Sequence, residues 1–173
     1  PMAVVLLGGI ITSQIMMKDS LATVPMTLMI IGIAISAPIA SRFMSIWGRQ
    51  KGFLFSSLLS CLALIICSIA IYLENFFIFA LGNFLIGSSQ AFIHQYRFAA
   101  SESVAKELIP RSISIILLLG IISALLSSNF AEYFKDFFPS NLFLGSYIFL
   151  SFTAIIPFFV LLFYEETKNI INQ

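Results

Sequence analysis

Six long stretches of this sequence consist mainly of apolar residues, and they constrain its fold more than any other feature. A helix needs about 20 apolar residues to cross a bilayer, whereas membrane barrels show segments of about ten residues with alternating polarity. The stretches here are continuous and do not alternate, so they predict membrane-spanning helices. The predicted spans are residues 2–17, 22–44, 52–73, 76–100, 112–131 and 142–164.

The two ends of the chain differ in character. The first span is short and has no basic leader before it, so we expect it to be the later part of a helix. The last span is followed by residues 165–173, for which we expect a polar tail. We therefore expect the sequence to be a fragment, or a half that works together with another chain.

The composition agrees with a membrane protein and excludes several other classes. Of the 173 residues, 60% are hydrophobic and 10% are charged, whereas soluble domains contain about 45–50% apolar and about 25% charged residues. Nine Lys and Arg residues balance eight Asp and Glu residues, and nucleic-acid binding needs clustered basic residues. The sequence thus predicts an all-α integral membrane protein with six transmembrane helices in contact with lipid. It excludes a soluble enzyme, a disordered tail and a nucleic-acid binder.

The distribution of basic residues between alternate loops predicts the orientation of the helices. Cytoplasmic loops of membrane proteins carry an excess of Lys and Arg. One side of the predicted bundle carries Lys18 and Lys135. The other side carries seven basic residues, namely Arg42, Arg49, Lys51, Arg97, Lys106, Arg111 and Lys168. We therefore expect a multi-pass protein of the cell (inner) membrane with both termini in the cytoplasm.

Five residues follow one another along the fourth span at helical spacing. They are four, three, four and three residues apart and therefore share one helical face: Asn83, Gly87, Gln90, His94 and Arg97. Polar groups are costly in hydrocarbon and usually face a bundle interior or a water-filled path. We interpret this face as one wall of a substrate cavity. The alternatives are hydrogen bonds to neighbouring helices and, for Arg97, a side chain that extends to the cytoplasmic surface.

Gln14 is the only side-chain amide in the first span. It either contacts the same cavity or forms a hydrogen bond near the outer end of its helix. We include it with Asn83, Gln90, His94 and Arg97 among the candidate substrate contacts.

Residues for covalent or metal chemistry do not form a recognisable pattern. Cys61 and Cys67 are six residues apart in one predicted helix and face well-separated sides of it, so we expect no disulfide or metal pair. His94 is the only histidine, and no carboxylate lies deep within a span. We therefore expect no catalytic residue, no metal and no cofactor.

The turn between the second and third spans combines a glycine with basic residues. Glycine permits unusual backbone angles, and basic residues hold the turn at the cytoplasmic surface beside anionic lipid. The segment Ser41-Arg-Phe-Met-Ser45-Ile-Trp-Gly48-Arg49-Gln-Lys51 resembles the motif at this turn in the major facilitator superfamily of transporters. Gly48, Arg49 and Lys51 match that motif, whereas Ser41 and Ser45 replace its Gly and Asp.

A second motif of the same family is similar to Asn83-Phe-Leu-Ile-Gly87, where the family often has Arg in place of Asn83. The resemblance implies that the chain is the N-terminal six-helix half of such a transporter, with residues 165–173 at the start of the central cytoplasmic linker. It also implies a second six-helix half, in a missing C-terminal part or in a partner chain. Gly48, Arg49 and Lys51 would then form a cytoplasmic gate.

These features predict secondary active transport of a small molecule or ion by alternating access, in which two halves rock around a central site. The alternative is a non-transporting membrane scaffold or assembly module. A scaffold explains the sparse charges within the spans but not a polar face that runs along most of one helix. An intramembrane enzyme is disfavoured, because nothing in the sequence places a nucleophile near an oxyanion donor.

Overall fold

The computed structural model describes residues 4, 8–12, 21–102, 104–134, 137 and 143–163. These residues are almost entirely helical and include no strand. Residue 4 and residues 8–12 are helical, and residues 8–12 are called α1. The helices that follow are α2 (Val24–Trp47), α3 (Arg49–Tyr72), α4 (Phe76–Ile93), α5 (Tyr96–Glu102), α6 (Ile109–Tyr133) and α7 (Leu144–Leu162), with a 3₁₀ turn at Lys106–Leu108.

Five stretches of the described chain are helical, long and apolar enough to cross a membrane. They are Val24–Trp47, Arg49–Tyr72, Phe76–Ala99, Lys106–Ser127 and Leu144–Leu162. Most of the first predicted span, residues 2–17, lies outside the described residues, and so does the predicted tail at 165–173. The chain is therefore an all-helical protein with five candidate membrane-spanning helices in its described part.

The fourth predicted span is divided into α4 and α5. The amide of Gln95 donates to the carbonyl of Phe92, three residues back, instead of continuing the four-residue ladder of α4. The ladder restarts when the amide of Ala99 donates to the carbonyl of Gln95. This turn interrupts the four-residue ladder between α4 and α5, so the spacing rule for one face of a regular α-helix does not carry across His94 and Gln95.

Helix α2 packs mainly small residues inward and exposes large apolar ones. On α2, the buried face carries Met29, Gly32, Ser36 and Ala40, whereas the outer surface carries Ile30, Ile31, Ile35 and Ile39. A soluble helix buries its large apolar face, but lipid is as apolar as isoleucine and offers no such driving force. Small residues at the interface let helix backbones approach closely, and van der Waals packing then holds the bundle together.

The closest helix contact lies between α2 and α4. A β-carbon on Gly32 would overlap the carbonyl oxygen of Phe84 and lie 3.2 Å from the amide nitrogen of Ser88. On the opposing helix, a β-carbon on Gly87 would overlap the carbonyl oxygen of Met29. Two glycines, one from each helix, thus permit direct contact between the backbones.

Helix α3 packs between α4 and α7 and connects them. Gly82 of α4 lies against the side chain of Cys67 on α3, where a β-carbon would overlap the sulfur atom. On the other side, the hydroxyl of Ser57 donates to the carbonyl of Ala154 at 2.7 Å. The side-chain amide of Gln50 at the start of α3 donates to the carbonyl of Leu161 at 3.1 Å. We call this end of the bundle, where α2 and α7 end and α3 begins, the turn end.

Helix α6 lies apart from this packed core. Most of its described side chains are exposed, and a β-carbon on Gly120 would meet no atom within 4 Å. It contacts α5 and, more sparingly, α7. The space between α6 and the core is the cavity described next.

Candidate functional site

A cavity of about 520 Å³ lies between α6 and the packed core, and its walls are formed by Val4 and by residues of α3, α4, α5, α6 and α7. Small-molecule sites typically have volumes of about 300–1,000 Å³. Its apolar lining includes Phe53, Leu64, Ile86, Leu150 and Pro157. Its polar lining consists of Ser56, Ser57, Ser60, Gln90, Tyr96, Ser123, Ser127 and Thr153. The described lining is thus uncharged and rich in hydroxyl groups.

Gln90 is the only side-chain amide in the described lining. It lies in the last turn of α4, where its backbone carbonyl accepts a hydrogen bond from the amide of His94 at 3.0 Å. The residue is only 8% exposed. Its side chain forms no hydrogen bond with any other described residue, although a side-chain amide offers two N–H donors and a carbonyl acceptor. The amide therefore faces the cavity, where a ligand or water can satisfy it.

Serine hydroxyls on α3 form a row along the cavity. Ser56 donates to the carbonyl of Ser89 at 3.1 Å, and Ser60 donates to the hydroxyl oxygen of Ser89 at 2.8 Å. Ser89 in turn donates to the carbonyl of Ile86 at 2.8 Å. Each of these protons is therefore used within the protein. A hydroxyl oxygen that donates its proton still has lone pairs, so the row offers acceptors to a ligand.

One hydroxyl on α6 and one on α7 follow the same rule. Thr153 donates to the carbonyl of Leu150 at 2.8 Å, and Ser127 donates to the carbonyl of Ala124 at 3.0 Å. Both bonds satisfy the hydroxyl proton within its own helix. These walls of the cavity therefore also offer oxygen acceptors.

An aromatic pair closes the turn end of the cavity. The rings of Phe53 and Tyr96 stack with their centroids 4.1 Å apart and their planes 10° from parallel. Both residues line the cavity. Phe53 is buried, whereas Tyr96 is partly exposed, so the tyrosine offers aromatic surface on which a flat ligand can stack.

Most of the polar face predicted on the fourth span lies elsewhere. Asn83 is 2% exposed, and its amide nitrogen donates to the carbonyl of Phe79 at 2.9 Å within α4. Gly87 lies against Met29. Neither residue lines the cavity, because this part of the face packs between helices.

The far end of the same face is exposed. His94 ends α4 and Arg97 lies in α5, beyond the turn at Gln95. Neither side chain lines the cavity, and among the predicted contacts in the described chain only Gln90 does so. Gln14 lies outside the described residues.

The predicted gate residues lie at the turn end and not in the cavity. Gly48 joins α2 to α3 with φ 90° and ψ 158°, and its amide donates to the carbonyl of Met44 at 3.1 Å. Arg49 is the first residue of α3. The ammonium group of Lys51 lies 5.7 Å from the centre of the Trp47 ring, within the range of a cation–π contact.

Sequence reasoning did not single out the serines of α3 or the Phe53–Tyr96 pair. Ser57 and Ser60 follow Ser56 by one and four residues within an apolar span, and this spacing could have indicated a hydroxyl-bearing face. Nothing in the sequence connects Phe53 with Tyr96, because they lie on different helices. In the described chain, no three His, Cys, Asp or Glu residues lie together as a metal site would require.

Comparisons with known proteins identify one informative relative. The chain is 28% identical over 148 residues to the riboflavin transporter RfnT of Brucella anthropi, an alignment that covers 86% of this chain. The same alignment covers 37% of the relative, so the chain spans little more than a third of that protein's length. No profile of a protein family matches the chain. No solved structure matches it either. The chain is thus similar to a membrane transporter.

Proposed function

We propose that the chain is part of a secondary active transporter that moves a small neutral solute across the membrane. The observation that carries this proposal is a cavity in an apolar helical bundle, lined by uncharged polar groups that include the amide of Gln90, which has no hydrogen-bond partner among the described residues. Polar side chains within a membrane bundle are expensive and mark substrate paths. The similarity to a riboflavin transporter supports the same conclusion.

The proposed substrate is riboflavin or a compound of similar shape. Riboflavin combines a flat heteroaromatic ring with a chain of hydroxyl groups, and it carries no net charge near neutral pH. The aromatic surface of Tyr96 suits stacking of the riboflavin ring. The hydroxyl oxygens of Ser60 and Thr153 suit hydrogen bonds from the hydroxyl groups of riboflavin. The uncharged lining matches a neutral molecule, since a charged group there would lack a partner.

The proposed mechanism is alternating access by a transporter of the major facilitator type. In that scheme this chain supplies the N-terminal six-helix half, and a second six-helix half supplies the opposite wall of the substrate site. The turn at Gly48, Arg49 and Lys51 acts as the cytoplasmic gate, and both termini lie in the cytoplasm. The excess of basic residues on one side of the bundle supports this orientation.

Substrate contacts in this scheme centre on Gln90. Gln14, from the first predicted span, is proposed as a contact from the other side of the same cavity. His94 and Arg97, which are exposed, are proposed to act on the path to and from the cavity, whereas Asn83, which is buried between helices, is not proposed on that path.

Uptake in whole cells tests the proposal. A bacterial strain that cannot synthesise riboflavin is transformed with the natural reading frame that contains this chain, and uptake of radiolabelled riboflavin is measured against empty vector. We expect saturable uptake that supports growth at low external riboflavin. Uptake no higher than with the vector, from a protein present in the membrane, would overturn riboflavin transport and favour a scaffold.

A matched pair of variants connects the uptake to the cavity. Gln90→Ala removes the unpartnered amide from the cavity and should lower uptake at least tenfold. Gln95→Ala removes an amide five residues further on that does not line the cavity, and its uptake should stay near wild type. Equal uptake by both variants would place the substrate site elsewhere.

A further inference from the structure

The lining of the cavity includes a buried side-chain amide that can both donate and accept hydrogen bonds. Gln90 is buried, lines the cavity and has no hydrogen-bond partner among the described residues. The surrounding hydroxyls of Ser56, Ser57 and Ser60 already use their protons within the protein. Gln90 therefore provides the cavity with a donor and an acceptor side by side.

This arrangement selects a particular chemical edge on a ligand. A side-chain amide forms two parallel hydrogen bonds with a group that presents an acceptor next to a donor, as glutamine does with the edge of adenine. An imide, with an N–H between two carbonyls, presents the same pattern. The ring of riboflavin has one such imide, with a single N–H at its N3 position.

The aromatic pair at the turn end supplies the second part of the recognition. A ring that stacks on Tyr96, itself supported by Phe53 at 4.1 Å, would be held flat within the same cavity that Gln90 lines. Stacking fixes the plane of a ring but does not distinguish between its edges. The two hydrogen bonds of an amide do make that distinction.

We propose that Gln90 is a specificity-determining residue that recognises the imide edge of the transported heterocycle, with Tyr96 as the stacking surface. This proposal rests on the proposed function as a riboflavin transporter. It extends that function by assigning separate tasks to two residues, which predicts different responses to a chemically altered substrate.

The experiment compares riboflavin with N3-methylriboflavin, which lacks the imide N–H, as competitors of radiolabelled riboflavin uptake by the natural reading frame. Wild type should bind the methylated compound about tenfold or more weakly, because the carbonyl of Gln90 loses its donor in a buried site. Gln90→Met keeps the length of the side chain and removes both hydrogen-bonding groups. In that variant the two compounds should compete equally well, each with the weaker affinity that wild type shows for the methylated compound.

Two controls separate this role from a structural one. Tyr96→Leu should weaken the binding of both compounds by a similar factor and leave the preference for riboflavin intact. Gln95→Met should leave both affinities and the preference unchanged. Each variant is compared at equal amounts of membrane-inserted protein.

The outcomes distinguish the two proposals. If wild type takes up no riboflavin, the proposed function fails and this inference fails with it. If wild type takes up riboflavin but binds the methylated compound equally well, transport stands and recognition of the imide edge is overturned. The wild-type comparison decides this point even if Gln90→Met does not fold, and a folded Gln90→Met that keeps the preference would also overturn it.

Discussion

Gly87 on α4 lies directly against the backbone of Met29 on α2, so that a β-carbon on residue 87 would stand 2.8 Å from the Met29 carbonyl carbon. Real β-carbons do not approach other atoms so closely, and the neighbour here is main chain, which cannot rotate away. The contact between α2 and α4 therefore depends on glycine at this position.

Gly87→Ala is expected to destabilise the protein by about 1–3 kcal/mol or more, the usual cost of overpacking. Gly120→Ala is the matched control, because a β-carbon there meets nothing within 4 Å. The measurement is the melting temperature in detergent, followed by size-exclusion chromatography. Equal melting temperatures for the two variants would show that α2 and α4 do not meet at Gly87.

Gly48→Ala is expected to lower the free energy of unfolding by about 1–3 kcal/mol, because φ 90° with ψ 158° is a backbone conformation that essentially only glycine adopts. Ser45→Ala, three residues earlier, alters an exposed hydroxyl that donates to the carbonyl of Arg42 at 2.8 Å, and it should cost much less. Thermal unfolding of both variants checks the difference. A Gly48→Ala protein as stable as Ser45→Ala would contradict the turn geometry.

The hydrogen bond between Ser60 and Ser89 should show a measurable coupling energy. Double-mutant cycles on hydrogen bonds between membrane helices average about 0.6 kcal/mol. Ser89→Ala should lower the free energy of unfolding more than Ser60→Ala does, because it leaves the Ser60 hydroxyl without its acceptor. Unfolding in mixed detergent micelles measures the single and double variants. As a control, Ser114→Ala should be additive with Ser89→Ala, since the Ser114 hydroxyl donates to the carbonyl of Pro110 in its own helix at 2.8 Å.

Water-soluble thiol reagents should distinguish cavity positions from packed ones. In a background of Cys61→Ser and Cys67→Ala, cysteines that replace Gln90, Ser123 or Thr153 should be labelled, and riboflavin should slow the reaction. A cysteine at position 83 should react at least tenfold more slowly, since Asn83 is buried outside the cavity. Labelling at position 83 as fast as at position 90 would contradict this assignment of the cavity.

Trp47 should lie in the membrane interface. It is the only tryptophan of the sequence, is 59% exposed and lies beside Lys51 at the end of α2, which is typical of interfacial aromatic residues. With any tryptophan elsewhere in the reading frame replaced, a lipid quencher near the headgroups should reduce its fluorescence more than a quencher at the chain ends. The opposite order would place the turn end inside the hydrocarbon.

The sequence was sufficient to predict membrane helices, because the hydrocarbon core of a bilayer offers the backbone no hydrogen-bond partners. A continuous apolar run must satisfy its own backbone hydrogen bonds, and only a helix does so within one segment. The stretches around Ile35, Leu62 and Leu118 therefore predict α2, α3 and α6 without any knowledge of their neighbours. The local turn at Gln95, which contains neither Gly nor Pro, carried no such signal.

The sequence also indicated which residues share a face, but it did not indicate what that face contacts. Spacing placed Asn83, Gly87 and Gln90 together on α4, and helical geometry ensures that much. Whether such a face packs on a neighbour or lines a cavity depends on how the helices are arranged around it. The structure packs Gly87 on Met29 and leaves Gln90 in the cavity.

The cavity itself is a property of the tertiary structure alone. Its walls combine Ser60 of α3, Gln90 of α4, Ser123 of α6 and Thr153 of α7, which are far apart in the sequence. Within hydrocarbon each segment must satisfy its own backbone hydrogen bonds, so each becomes a helix whatever its neighbours are. The packing between segments determines which polar groups meet, because those contacts depend on the positions of several helices at once.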